Sequence, residues 1–146
     1  MLRNRQGGFS LIEIMVVIVI IGLMVGVVGP ALFGNIAEAQ RERVKNDFAS
    51  IKTALQTYKL DNYIFPTTEQ GLSALVQKPD VDPVPRKWRD GGYLEKMPKD
   101  PWEREYIYFS PADNGKGFDI ISYGADGLQG GEGEAADISF WDDAEQ

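Results

Sequence analysis

A carboxylate at the edge of an uncharged segment constrains this chain more than any other feature. Glu13 is followed directly by residues 14–33, which carry no charged side chain. About twenty apolar residues at ~1.5 Å rise each would cover the ~30 Å hydrocarbon core of a bilayer. A charged side chain deep in hydrocarbon costs about 2.5–3.5 kcal/mol on insertion scales. Glu13 therefore needs a partner, and the nature of that partner bears on function.

The residues alone leave three interpretations of this N-terminal segment open. One is a cleaved secretory signal with Arg3 and Arg5 as its basic region and Ala37-Glu38-Ala39 as its cleavage site, although the apolar run exceeds the usual ~7–15 residues. The second is a plain membrane anchor, which Arg3 and Arg5 would orient with the N-terminus inside. That interpretation leaves Glu13 without a partner.

The third interpretation takes Glu13 and the preceding glycines as a processing and assembly signal. A peptidase that cuts after Gly8 would leave Phe9 with a free, positively charged amine. Within one chain, residues 9 and 13 are held apart by the helix itself. In axially staggered neighbours, Glu13 of one subunit could meet the Phe9 amine of the next and set their register, a role known for buried polar groups.

Composition excludes several functions. The net charge of −7 argues against a nucleic-acid partner, and the absence of Cys and His removes disulfides, thiolate chemistry and histidine proton shuttles. Asp142-Asp143 is the remaining candidate for acid–base chemistry. Adjacent carboxylates at a chain end are more typical of a solvated acidic tail, so we expect no enzyme.

The pattern after the apolar segment predicts an α+β fold. Apolar residues at helical spacing predict a long helix that ends near 60–62: Val44, Phe48, Ile51, Leu55 and Tyr58. Gly29-Pro30 is either tolerated, as Gly and Pro are in membrane helices, or marks a helix break at Pro30 that bends or melts when subunits pack together. Thr67 and Gln70 match a capping box before a short helix. Residues 106–109 and 118–122, with a turn at 113–117, predict a small antiparallel sheet.

A glycine-rich acidic loop lies near the C-terminal end of the sequence. Residues 123–137 contain five glycines and the carboxylates of Asp126, Glu132, Glu134 and Asp137. Ca²⁺ takes 6–8 oxygen ligands of this kind, and the spacing of an EF-hand is missing. The loop is therefore either solvated or a calcium site.

The N-terminal residues also carry a resemblance to a known family. Gly8-Phe9-Ser10-Leu11-Ile12-Glu13 and the apolar run behind it resemble the class III signal of type IV pilins and type II secretion pseudopilins. The resemblance implies cleavage after Gly8 by a prepilin peptidase, N-methylation of Phe9, and an assembly role for Glu13.

Later segments resemble the major pseudopilins (G subunits) of type II secretion systems, namely 58–62, 65–72, 91–94, 98–102 and 122–127. The resemblance implies a type IV pilin-like fold with a leader at 1–8, a transmembrane or filament-core helix at 9–33 and a periplasmic domain at 34–146. It implies a subunit of the periplasmic pseudopilus, which supports export of folded proteins. The alternative is a type IV pilus subunit, although those usually carry a disulfide that this chain cannot form.

The same resemblance implies a cofactor and partners. A structural Ca²⁺ would be held by Asp126 and Asp137, by the carbonyls of Tyr123 and Leu128, and by Glu134 as a substitute ligand. Implied partners are further copies of the chain, minor pseudopilins, the prepilin peptidase, the inner-membrane assembly platform and, before assembly, membrane lipid. The implied location is the bacterial inner membrane, with the N-terminus cytoplasmic and the C-terminal domain periplasmic.

Overall fold

The computed structural model describes residues 9–113 and 115–142, without the side chains of 27–33 and 35. The chain divides into two compact units, Met1–Glu38 and Ala39–Gln146. Within these described residues, the regular elements are one long helix, α1 (Leu11–Asn62), two short 3-10 helices (Leu72–Leu75 and Gly133–Ala135) and three strands, β1 (Ile107–Phe109), β2 (Asp119–Ser122) and β3 (Ile138–Ser139).

The first unit presents its apolar side chains outward. Those of 11–21 and 23–25 are between 47% and 80% exposed, apart from the polar Glu13 and the small Gly22. In the part of the chain that the structure describes, no helix is both long enough and apolar enough to cross a membrane. The membrane-spanning role of 9–33 stays a prediction, because the side chains of 27–33 lie outside the description. Since α1 continues through position 30, a break at Pro30 remains a prediction for the assembled subunit.

The C-terminal part of α1 builds the core of the second unit. The predicted stripe from Val44 to Tyr58 is at most 3% exposed, and each of its members belongs to the hydrophobic core. The helix ends at Asn62, within the predicted range. Tyr63 then adopts a positive φ of 68° and donates its N–H to the Lys59 carbonyl at 2.6 Å, which closes the last turn.

The segment after α1 departs from the predicted short helix. The capping pair forms as expected, because Thr67 N–H bonds Gln70 Oε1 at 3.1 Å and Gln70 N–H bonds Thr67 Oγ1 at 3.2 Å. The chain then makes a turn, and a 3-10 helix starts only at Leu72. Gly71, with φ 60° and ψ −171°, has a backbone conformation that no right-handed helix can contain, so it separates the capping pair from the helix.

The strands form an antiparallel sheet in the order β1-β2-β3. Tyr108 pairs with Ile120, and Ser122 pairs with Ile138. The first two strands and the turn between them were predicted from the sequence. The third strand was not, because two residues are too short to show an alternating pattern.

Buried aromatic residues join the helix to the sheet. Phe48 of α1 meets Tyr106 edge to face with ring centroids 5.4 Å apart, and the Tyr106 hydroxyl donates to Asp47 at 2.7 Å. Burial, followed by the Asp47 hydrogen bond, raises the pKa of Tyr106, and burial raises that of Tyr108, whose hydroxyl donates to the Pro66 carbonyl. Both phenols are therefore neutral donors at physiological pH. The predicted α+β class, a long helix with a small antiparallel sheet, is confirmed.

Candidate functional site

The predicted assembly residue lies in the first turn of α1. Glu13 N–H donates to Ser10 Oγ at 3.3 Å, and Ser10 N–H donates to Glu13 Oε2 at 3.4 Å. This reciprocal pair has the bonding pattern of a capping box, in which each side chain satisfies a backbone N–H that has no partner within the helix. The negative charge also lies where the helix dipole favours it.

The capping pair gives Glu13 a second role that the sequence interpretation missed. The signal was present, since Ser10-x-x-Glu13 is the standard pattern for such a pair. Both bonds are long, and the glutamate side chain remains exposed. Its charge is thus still open to a partner from another chain. Phe9 is 80% exposed beside it, whereas Gly8 lies outside the described residues.

Backbone hydrogen bonds fold the acidic loop 123–137 back on itself. Gly127 N–H donates to the Tyr123 carbonyl at 3.0 Å, and Ala125 N–H donates to the Glu134 carbonyl at 2.9 Å. Gly124 makes this closure possible: its φ is 57°, and a Cβ at this position would lie 2.8 Å or less from the carbonyl oxygens of Ala135 and Ala136.

The loop brings two of the predicted calcium ligands to one short stretch of backbone. Asp126 Oδ1 accepts the N–H of Leu128 at 3.0 Å, and Asp137 Oδ2 accepts the N–H of Gly130 at 2.9 Å. Asp137 Oδ1 is buried and, among the described residues, has no hydrogen-bond partner. An unsatisfied buried acceptor costs about 1–3 kcal/mol, and more when it is charged.

The remaining predicted ligands are Tyr123, Leu128 and Glu134. The Tyr123 carbonyl, which like any carbonyl oxygen has two lone pairs, accepts the N–H of Gly127, and Leu128 is exposed. Glu134 is exposed, and its carboxylate bonds no other described residue. Within the described ranges, no three acidic side chains are grouped closely enough to hold a metal ion by themselves. The donor set fits a cation through Asp126 and Asp137 with backbone carbonyls.

Two arginines that the sequence analysis did not single out hold the loop in place. Arg104 Nη2 donates to the carbonyls of Gly124 at 2.7 Å and Ala125 at 2.8 Å. Arg41 Nη2, on α1, donates to the Gly133 carbonyl at 2.5 Å. No local sequence pattern predicts either contact, because the hydrogen-bonded residues are 20 and 92 positions apart in the chain.

One carboxylate of the acidic chain end, Asp142, makes a structural contact. Asp142 Oδ2 accepts the N–H of Ser139 at 2.7 Å, so this carboxylate closes a turn after β3. Asp143 lies outside the described residues. The neighbouring Trp141 donates its indole N–H to the Phe118 carbonyl at 2.8 Å and anchors the chain end on the sheet.

Two family matches together cover nearly the whole chain. Residues 3–29 match the prokaryotic N-terminal methylation motif, and residues 31–141 match the family described as type II secretion system (T2SS), protein G. The first match includes the candidate processing and assembly residues. The second includes the acidic loop.

Individual relatives carry the same description. The chain is 49% identical over 138 residues to the type II secretion system core protein G of Vibrio cholerae, covering 94% of this chain and 93% of the relative. It is 47% identical over 142 residues to the Pseudomonas aeruginosa protein of that name, covering 97% and 99%. The crystal structure of the major pseudopilin from the type 2 secretion system of enterohaemorrhagic Escherichia coli superimposes with a TM-score of 0.68 at 43% identity, over 75% of this chain and 93% of that one.

Proposed function

Since the chain belongs to the type II secretion system protein G family, we propose that it polymerises into the periplasmic pseudopilus that supports export of folded proteins across the outer membrane. The relatives and the matched crystal structure support this major-pseudopilin function over the type IV pilus alternative. The observation that carries the polymerisation proposal is the apolar N-terminal part of α1, whose exposed side chains require a non-aqueous partner.

The exposed apolar row defines what that partner must be. Leu11, Ile18 and Leu23 are 80%, 63% and 67% exposed, and their neighbours are similar. Burying apolar surface gains roughly 25 cal/mol per Å², so this row favours lipid or packed helices over water. In our proposal it lies in the inner membrane before assembly, with the N-terminus cytoplasmic. It then packs against the same segment of neighbouring subunits in the periplasmic filament.

Processing would convert the N-terminus into an assembly contact. The methylation-motif match over 3–29 supports action of a prepilin peptidase on this chain. In our proposal the peptidase cleaves after Gly8 and methylates the amine of Phe9. The carboxylate of Glu13 on one subunit then pairs with the Phe9 amine of its neighbour. The capping bond from Ser10 holds the carboxylate at the helix start, where that amine would arrive.

The other proposed partners come from the machinery of the secretion system. We propose that the subunit contacts the inner-membrane assembly platform of the secretion system when it is inserted into the filament. Within the filament it contacts minor pseudopilins. The proposed role is structural and not enzymatic, in keeping with a family of pseudopilin subunits. The acidic chain supports no role in nucleic-acid binding.

The acidic loop is proposed as a structural calcium site. Asp126 and Asp137 would hold the ion with the carbonyls of Tyr123 and Leu128, and Glu134 would be an additional ligand. Support comes from the buried Asp137 Oδ1, an acceptor without a donor among the described residues. A bound Ca²⁺ would supply positive charge to these carboxylates and fix the loop. The chain's own residues already shape the loop through Gly124 and Arg104.

A co-expression experiment tests the proposed function. The full chain is produced in cells with and without the peptidase and the other assembly components. We expect intact-mass analysis to show loss of residues 1–8 and gain of one methyl group only with the peptidase, and electron microscopy to show filaments only with the complete machinery. A chain that is processed yet never forms filaments, and whose deletion leaves secretion unchanged, would contradict the proposal.

A further inference from the structure

An exposed apolar patch lies at the C-terminal end of α1, on the second unit. Its members are Leu60, Tyr63, Ile64 and Val84, whose exposed fractions are 77%, 86%, 45% and 43% in that order. We call these four residues the helix-end patch. It borders a cleft of about 450 Å³ between the end of α1 and residues 83–87. Tyr63 also lines a neighbouring groove with Lys59, Leu60 and Phe65, so the patch is continuous.

The helix-end patch has a basic rim in an otherwise acidic protein. Residues 83–89 contain Arg86, Lys87 and Arg89; the nearby acidic residues are Asp82 and Asp90, which flank this stretch, and Asp61, which lines the cleft. Arg86 and Lys87 line the cleft, and Lys59 lines the adjoining groove. Arg89 is already paired with Asp61 at 2.7 Å. A partner for this patch must therefore combine an apolar contact with negative charge.

Tyr63 has an unfavourable backbone conformation. The left-handed region is unfavourable for a non-glycine residue, and Gly or Asn usually closes a helix in this way. Tyr63 has a φ of 68°, and its hydroxyl bonds no described residue. Strained positions of this kind, with a large side chain facing solvent, are typical of binding sites.

The acidic loop of the same protein has the complementary properties. Leu128 is 68% exposed at its tip, and the loop carries Asp126, Glu132, Glu134 and Asp137 without any basic residue. Its formal charge is therefore −4, and a bound divalent cation would leave −2. The patch offers several exposed apolar side chains and the loop offers Leu128; charged residues surround both, and the two charges are opposite.

The two surfaces lie at opposite ends of the packed part of α1. Arg41 binds the loop carbonyl of Gly133, whereas Leu60 belongs to the patch. Nineteen helical positions at 1.5 Å each separate these residues by about 28 Å along the helix. The loop of one subunit therefore cannot cover its own patch. Complementary surfaces at opposite ends produce a head-to-tail contact, which propagates into a helical array when it does not close into a ring.

We infer that the helix-end patch docks a second copy of this chain, which packs Leu128 of its acidic loop on the patch beside Leu60 and Tyr63. The inference rests on the proposed polymerisation and names one contact between the periplasmic parts of neighbouring subunits. Arg86 and Lys87 face the carboxylates of the incoming loop, so high salt weakens the contact. Fixing the loop, as calcium would, presents Leu128 in one position.

Disulfide cross-linking tests the contact, because the natural chain contains no cysteine. The full chain carrying Leu60→Cys with Leu128→Cys is assembled in cells and oxidised. The expected result is a ladder of oligomers, since each subunit then contributes one cysteine to each of two contacts. Either substitution alone can produce nothing larger than a dimer. A mixture of the two single variants should yield the mixed dimer.

A matched pair tests whether the cross-link is specific. Ala49 is exposed on α1 outside the patch, so Ala49→Cys with Leu128→Cys should give no ladder. Adding Arg86→Glu and Lys87→Glu to the first pair should abolish the ladder. Adding Tyr63→Asn, which suits the backbone better, should reduce it without lowering the thermal stability of the subunit.

The possible failures are distinguishable. Filaments of the Leu60→Cys, Leu128→Cys variant that form no ladder would overturn the docking contact and leave the proposed function intact. An equal ladder from the Ala49 pair would also overturn it. If the unsubstituted chain never forms filaments with the complete machinery, the proposed function fails and the docking contact falls with it.

Discussion

Calcium should stabilise the second unit, and Asp137→Asn should remove that effect. Asp137 Oδ1 is a buried carboxylate oxygen without a donor among the described residues. A ligand present at 100 times its Kd stabilises the folded state by about 2.7 kcal/mol. For a domain of this size each kcal/mol shifts the melting temperature by about 4–8 °C, so the expected rise is about 10–20 °C.

The assay is thermal unfolding of the intact chain in detergent, with Ca²⁺ or with EDTA. Asp137→Asn keeps an oxygen for the Gly130 N–H but loses the charge, so its melting temperature should respond to neither addition. Asp126→Ala should behave in the same way. Asp80→Asn, an exposed carboxylate outside the loop, should retain the full response. Equal melting temperatures of the unsubstituted chain in Ca²⁺ and EDTA would refute the calcium proposal.

Two further predictions concern the second unit. The Arg89 guanidinium donates to Asp61 and holds the pKa of that carboxyl below its ordinary value. This ion pair therefore stabilises the folded state above the unfolded pKa of ~3.9, and the stabilisation is lost as pH falls through the lower folded pKa. Asp61→Asn should therefore flatten the dependence of unfolding free energy on pH below about pH 4, and urea titrations at several pH values measure this; an unchanged slope would contradict it. Gly124→Ala should cost about 2–4 kcal/mol, because its Cβ would strike the Ala135 carbonyl at a positive φ, whereas Gly133→Ala has open space and should cost only about 1 kcal/mol. Equal losses in urea unfolding would show that the close approach at position 124 does not limit the loop.

The sequence predicted the elements whose signals are local. The spacing of Val44, Phe48, Ile51 and Leu55 identified the buried face of α1, because helical periodicity depends only on neighbouring residues. The first two strands carried short runs of apolar and aromatic residues on either side of a glycine turn. The reciprocal bonds of the Thr67–Gln70 pair were predictable for the same reason, although the helix expected to follow them was displaced to Leu72.

Contacts between distant residues were not predictable from local patterns. Arg41 and Arg104 hold the acidic loop through bonds to backbone carbonyls, which any sequence could supply. Strand β3 has two residues and forms because β2 offers an edge beside it. The capping role of Glu13 is a different case. Its pattern, Ser10-x-x-Glu13, is local and was present in the sequence.

We propose that the charge of Glu13, rather than its role in the helix cap, drives assembly. Glu13→Gln keeps the acceptor oxygen that bonds Ser10 N–H and removes only the charge. Ser10→Ala removes the other capping bond, at a cost of about 1 kcal/mol in helix stability, and keeps the charge. We predict that Glu13→Gln is processed normally and forms no filaments, whereas Ser10→Ala still forms them. Filaments of normal length and number from Glu13→Gln would contradict the pairing of this carboxylate with the amine of the next subunit.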